Sequence, residues 1–228
     1  MDIAANLRQF NQGQNKNKGR QVKERYSSFD YCFNYFQTFR DEGRIQELSQ
    51  PAQIQASCLQ LGFYLASWGM LRGSSFLLEK SVKFYEPLIE GIATFDNRAW
   101  AVDADSYGAD NIRLLLDCRE MIKESLGWEH RPSDTLITKI MLGVFGNVPA
   151  FDDYFRKGFG VHSFGKNSLN RIADFYEKNK SAIDRNDIYT LDYASGEFTK
   201  RKYTKAKIID MVGFMEGIRK QSLAKERN

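Results

Sequence analysis

The chain has 228 residues, 42% of them hydrophobic and 27% charged, with a formal net charge of +4. That composition suits a soluble globular protein with one substantial core, or two small lobes sharing a cleft. The longest apolar stretch, Leu59 to Leu78, is interrupted by Ser67, Gly69, Arg72 and Gly73, which excludes a membrane span, and Cys32, Cys58 and Cys118 are too scattered for a disulfide framework or a zinc site.

Taken in chain order, residues 1–22 are rich in Asn, Gln, Lys and Gly and read as a flexible basic N-terminal arm or frayed helix. Their start lacks the apolar core of a secretion signal, so a cytoplasmic address is expected. The segment Arg8 to Arg25 holds six basic residues, either a solvated face or a contact for an acidic polymer. Residues 23–228 read as a single helical domain, as one unit or as two lobes with a cleft between them. In "RYSSFDYCFNYFQTFRDEG", Phe29, Cys32, Phe33, Phe36 and Phe39 recur at helical spacing. A short helix, the break at Pro51 and a long apolar helix to about Gly69 follow. The next helix is expected from Ser74 or Ser75 through "FLLEKSVKFYEPLIEGIATF", kinked or divided at Pro87.

The stretch "DNRAWAVDADSYGAD" reads as a loop with at most one helical turn. Helices are then predicted over "NIRLLLDCREMIKESLG", over "RPSDTLITKIMLG" with Ser133 as cap, from Pro149 in "PAFDDYFRKGFG", and over "SLNRIADFYEKNKSAI". "YTLDYASGEFTKRKYT" alternates about Ser195-Gly196 as a β-hairpin. A last helix, "KAKIIDMVGFMEGIRKQSLAK", is expected to be amphipathic, with Ile208, Ile209, Met211, Val212, Met215 and Ile218 on its buried side. Helices dominate without βαβ alternation, so the fold class is all-α, a compact multi-helix domain with one small β-hairpin near the C-terminus.

Three stretches carry chemistry. The first is "LGVFGNVPAFDDYF", a glycine-punctuated turn between two helices, from Leu142 to Phe155. Glycine permits a tight backbone there, and amides at the following helix start can face a phosphate. Gly143, Gly146, Asn147 and Val148 are therefore candidate phosphate contacts, or else a plain helix connection. Asp152 and Asp153 lie at the start of the second arm, where a carboxylate suits the helix dipole or serves catalysis. The second stretch is "FYLASWGMLRGSSFLLEK", in which Trp68 and Arg72 flank a turn of small residues. It is a pocket for a planar base or a close-packed junction. The third is "KRKYTKAK", Lys200 to Lys207, where Lys200, Arg201 and Lys202 beside Tyr203 suit phosphate contact with stacking, or a solvated strand. Asp30, an acid in an aromatic helix, either faces solvent or is held in a cleft. Tyr31 and Tyr154 are further aromatic candidates for a base pocket, and Lys166 for a phosphate.

The frame Leu142 to Ala150 resembles the helix-hairpin-helix turn of DNA glycosylases, written L-P-G-V-G-x-x-T-A, with Leu142, Gly146 and Ala150 on family positions and Val144 in place of the first glycine. The resemblance implies a double-stranded DNA partner, a flipped base and hydrolysis of an N-glycosidic bond without cofactor or metal. Asn167 stands where the family places its catalytic aspartate, and an amide carries no negative charge to stabilise a sugar cation. Val148 stands where strand-cutting members carry lysine. The expected acid is accordingly Asp152, with Asp30 second. The blocks "LGFYLASWGMLRGSSFLL", "LGVFGNVPAFDDYF" and "AKIIDM" are also similar to a widespread bacterial group of unassigned function. A likeness in kind to glycosylases of anti-phage defence implies a bulky modified base as target. A non-catalytic DNA- or partner-binding helical protein is the alternative, and a metal-dependent nuclease is a third, with Asp103, Asp105 and Asp110 crowding one loop.

Overall fold

The computed structural model describes residues 1–13 and 18–226. Residues 14–17 of the expected arm, including Lys16, and 227–228 lie outside the described residues. Among those described, nine α-helices and one two-stranded antiparallel sheet make an all-α fold. The N-terminal stretch is more structured than its composition suggests. Asp2 accepts a hydrogen bond from the Ala5 amide at 3.0 Å and starts α1, Ile3–Gln12. Ile3, Leu7 and Phe10 of this helix are buried, a sparse apolar stripe that the surrounding Asn and Gln conceal.

α2 (Ser28–Asp41) buries Phe29, Cys32, Phe33 and Phe36 on its predicted face. It packs on α3 (Ile54–Ser67) and α6 (Asp134–Val144), and α4 (Glu86–Thr94) packs on α5 (Ala109–Leu126). Between Phe76 and Tyr85 the chain makes two short 3-10 turns in place of the expected continuous helix. Pro87 then sits in the first turn of α4, where its missing amide breaks no bond. α6 is capped by Ser133, whose hydroxyl accepts from the Leu136 amide. α7 (Asp153–Phe159) starts four residues later than Pro149 suggests, because Asp152 caps it. α8 (Lys166–Asp184) leads to β1 (Tyr189–Leu191) and β2 (Phe198–Lys202), paired with Tyr189 opposite Lys202 and Leu191 opposite Phe198.

The largest departure from expectation is α9, Lys205–Glu226. Residues 206–217 are buried on every side, so this is a core helix and not an amphipathic surface helix. α1, α7 and α8 all pack on it. Its N-terminus is capped from a distant loop: the Asp103 carboxylate accepts from the Lys205 and Ala206 amides at 2.7 and 2.8 Å. Asp105 pairs with Lys205 at 3.0 Å, so two of the three acids crowding that loop serve this helix start.

Two devices let a polar-bearing helix run through the core. Lys207 is 1% exposed and donates to Asp210 Oδ2 at 2.7 Å. Its ammonium lies 4.4 Å from the Phe29 ring centroid and 5.2 Å from that of Phe10, so charge and ring faces jointly replace water. Glycines, in turn, bring α7 and α9 into backbone contact. A Cβ on Gly217 would stand 1.9 Å from the Tyr154 carbonyl oxygen, and one on Gly158 1.9 Å from that of Gly213. The buried apolar side chains form one contiguous cluster from Ile3 to Met215.

Candidate active site

The glycine turn after α6 faces inward. Residues 141–151 are all buried. Gly146 has φ +69°, the left-handed region that glycine favours, and its amide bonds back to the carbonyls of Met141 and Leu142. A Cβ on Gly143 would meet the Tyr64 ring at 2.4 Å, and one on Gly146 the Phe33 ring at 2.6 Å. Asn147 donates to the Ala99 carbonyl at 3.1 Å, and its own carbonyl accepts from the Tyr107 hydroxyl. Val148 is 0% exposed. Gly143, Gly146, Asn147 and Val148 are thus packing elements, and their assignment as phosphate contacts is corrected: all four are buried, out of a phosphate's reach.

What the turn does is deliver Asp152. The Ala150 amide donates to Asp210 Oδ1 at 3.0 Å, the Phe151 amide to Thr138 Oγ1 at 2.8 Å, and Thr135 Oγ1 donates to the Phe151 carbonyl at 2.9 Å. Thr135, Thr138 and Lys139 share one face of α6 by their spacing. The same face that fixes the extended segment therefore carries a lysine at the point where the segment ends. Asp152 Oδ1 accepts from the Phe155 amide at 2.9 Å as the cap of α7. Its Oδ2 is 3.9 Å from Lys139 Nζ. Lys139 is 4% exposed and donates to the Trp68 carbonyl at 2.7 Å. Burial raises the Asp152 carboxyl above its ordinary range and the Lys139 ammonium pulls it back. Burial also lowers the Lys139 ammonium, against the pull of Asp152 and Asp210.

This pair lies in a cleft of about 1190 Å³, above the roughly 300–1,000 Å³ of small-molecule pockets. Trp68, Arg72, Tyr154 and Asp152, four residues singled out from the sequence, all line it. Arg25, Arg131, Arg156, Lys157 and Lys139 join them, so six cations face two carboxylates, Asp152 and Asp153. Trp68 answers the earlier choice between packing and pocket with a share of each. Tyr26 stacks on its ring at 5.2 Å with 17° between planes, so that face is taken, while the residue still borders the cleft. Tyr154 is 37% exposed, borders the cleft and sits edge-to-face on Phe214.

The remaining candidates lie elsewhere. Asp30 is 0% exposed, forms an ion pair with Arg20 at 3.1 Å, and accepts from the Leu191 amide and the Tyr203 hydroxyl. Burial pushes its carboxyl up to about 6 against those partners. It ties α2 to the β-hairpin and is not placed to meet a substrate, which removes it as second choice for the acid. Tyr31 donates to the Val22 carbonyl at 2.6 Å, outside the cleft. Lys166 and Asn167 are exposed in the first turn of α8 and do not line it. Arg201 pairs with Asp41 at 2.8 Å and Lys202 with Asp187 at 2.7 Å. Lys200 is exposed on β2 and lines a separate hollow with Arg201, so the basic stretch after the hairpin is not part of the cleft wall. Lys139 went unnoticed in the sequence, although a single cation within "TLITKIMLG" is a signal that such a residue has a buried partner. Arg25 stood out only as the end of the basic Arg8 to Arg25 segment, and Arg131 not at all.

No protein-family model, curated protein or solved structure matches the chain. No helix of the described residues is long and apolar enough to cross a membrane.

Proposed function

We propose that this protein hydrolyses an N-glycosidic bond in DNA within the Asp152 cleft. A nucleotide turned out of the duplex would enter the cleft, with unstacking offset in part by the exposed ring of Tyr154. The carboxylate of Asp152 would stabilise positive charge developing on the sugar and orient the attacking water. Lys139 would keep that carboxylate ionised in a half-buried setting. The observation that carries the reading is Asp152 Oδ2. It is the oxygen of that carboxylate that does not accept from the Phe155 amide, and Asp152 borders a cation-rich cleft with room for a nucleotide.

The test is incubation with DNAs carrying normal and heavily modified bases, without added metal, followed by mass analysis of released nucleobases. Asp152→Asn is the informative variant, because asparagine also caps helices and the fold is retained. It should lower base release by about 10² or more. Full release by Asp152→Asn overturns the assignment. The cap bond from Phe155 favours a second reading, a non-catalytic DNA-binding protein in which Asp152 is structural. Salt-sensitive DNA binding by the wild type without any free base supports that one.

A further inference from the structure

The cleft is also bordered by the turn that follows α3. After α3 the chain turns through Trp68 to Ser75, with Gly69 and Gly73 both at positive φ. The amides of Gly69 and Met70 donate to the Ala66 and Leu65 carbonyls of α3, and that of Ser75 to the Arg72 carbonyl. Those of Leu71, Arg72, Gly73 and Ser74 donate to no acceptor among the described residues. Successive free amides around left-handed residues form a concavity suited to an oxyanion.

Arg72 completes it. A Cβ on Gly69 would lie 2.9 Å from its Nε and 3.0 Å from its Cζ, so the guanidinium is folded onto the bare backbone of its own turn. Neither Arg72 nor Arg25 nor Arg131 has a carboxylate within 4.0 Å among the described residues, although all three line the cleft. The cleft's own acids are claimed by other cations, Asp153 by Arg156 at 2.8 Å and Asp152 by Lys139. Arg72 and Arg25 both act to lower the Lys139 ammonium, against Asp152 and Asp210, so their charge is felt on the Asp152 side of the cleft.

We propose that the Trp68–Ser75 turn, with Arg72 as its fork, seats a phosphate group of the ligand that enters the Asp152 cleft. A planar guanidinium binds two phosphate oxygens at once, and free amides take the others. This rests on the reading of the cleft as a nucleotide site and is independent of base release. It moves the phosphate contact from the buried hairpin turn to an exposed turn some seventy residues earlier in the chain. The phosphate belongs either to a DNA strand or to a free nucleotide, which share the same chemistry.

Binding of the full chain is measured over a range of salt with two probes, a short DNA duplex carrying one central mismatch and a deoxynucleoside monophosphate. Arg72 is exposed, so Arg72→Ala should fold. It is expected to weaken binding about tenfold regardless of sequence, and to reduce the salt slope on the duplex by about one. Arg72→Lys should keep the slope but not the full affinity, since a point charge lacks the fork. Loss confined to the duplex identifies a strand phosphate, and loss with the monophosphate identifies a free nucleotide. Unchanged affinity and slope in Arg72→Ala with both probes, or no wild-type binding to either, overturns the phosphate seat. Arg72-dependent binding without any free base would overturn the hydrolytic reading alone.

Discussion

Asp152 divides two duties between two oxygens. Oδ1 holds the first turn of α7 and Oδ2 faces Lys139 across 3.9 Å. A carboxylate that must be ionised to act loses function as pH falls through its pKa. Burial has raised that pKa, so the acid limb of kcat/KM for base release should lie above the pH near 4 of an ordinary aspartate. Lys139 works in the opposite direction, by favouring the charged form. Lys139→Met should shift the limb to still higher pH, and a limb that stays in place in pH-rate profiles of both proteins would show that the pair is not coupled. At this scale the sequence pointed to Asp152, Trp68, Arg72 and Tyr154, which the structure brings to one cleft. It ranked Asp152 ahead of Asp30 only through the turn that precedes Asp152, since both are acids amid aromatics. They differ only in what reaches them through space: Arg20, Tyr203 and the Leu191 amide enclose Asp30, and those partners lie far from it in the chain or across a turn.

Among the elements, the crossing of α7 and α9 controls where that carboxylate stands. Gly217 touches the Tyr154 carbonyl, two residues from Asp152, and Gly158 touches Gly213. Gly217→Ala puts a methyl group where backbone already sits, and neither helix has a side-chain rotamer to relieve it. Overpacking of this kind costs about 1–3 kcal/mol or more, which thermal or denaturant melting should detect, together with reduced base release as α7 shifts. Wild-type stability in Gly217→Ala would mean that the helices slide apart freely. The helices themselves were readable from apolar spacing and caps: α2 from its phenylalanines, α6 from Ser133, α5 from its stop at Gly127. The turn from Leu142 to Ala150 was readable as a turn but not for its direction. Its glycines suit a phosphate or a neighbouring ring equally well, and Tyr64 and Phe33, which fill that space, are remote in sequence. α9 misled for a related reason. Lys207, Asp210 and Glu216 give it an amphipathic pattern, while their pairing and ring contacts allow burial all round.

For the molecule as a whole, a net charge of +4 understates what a ligand meets. Six of the cations line one cleft with two acids, while others, such as Arg201 and Lys202, are paired on the outer surface. Concentrated charge in a concave site steers an anionic partner more than the total does. The apolar core, in contrast, is not partitioned: one buried cluster runs from Ile3 to Met215. Thermal unfolding should therefore be a single transition, with calorimetric and van't Hoff enthalpies equal. Two resolved transitions would mark separately stable lobes.

The central position of α9 also sets an order on synthesis. The helix follows every other element of the fold, yet α1, α7 and α8 rest on it and Asp103 waits to cap it. Phe10 and Phe29, made long before, meet the Lys207 ammonium only when the helix arrives. A ribosome that has completed the β-hairpin therefore still holds a chain with its inner faces open. Until residues 206–217 emerge, that nascent chain exposes apolar surface of the kind that chaperones bind and aggregates recruit.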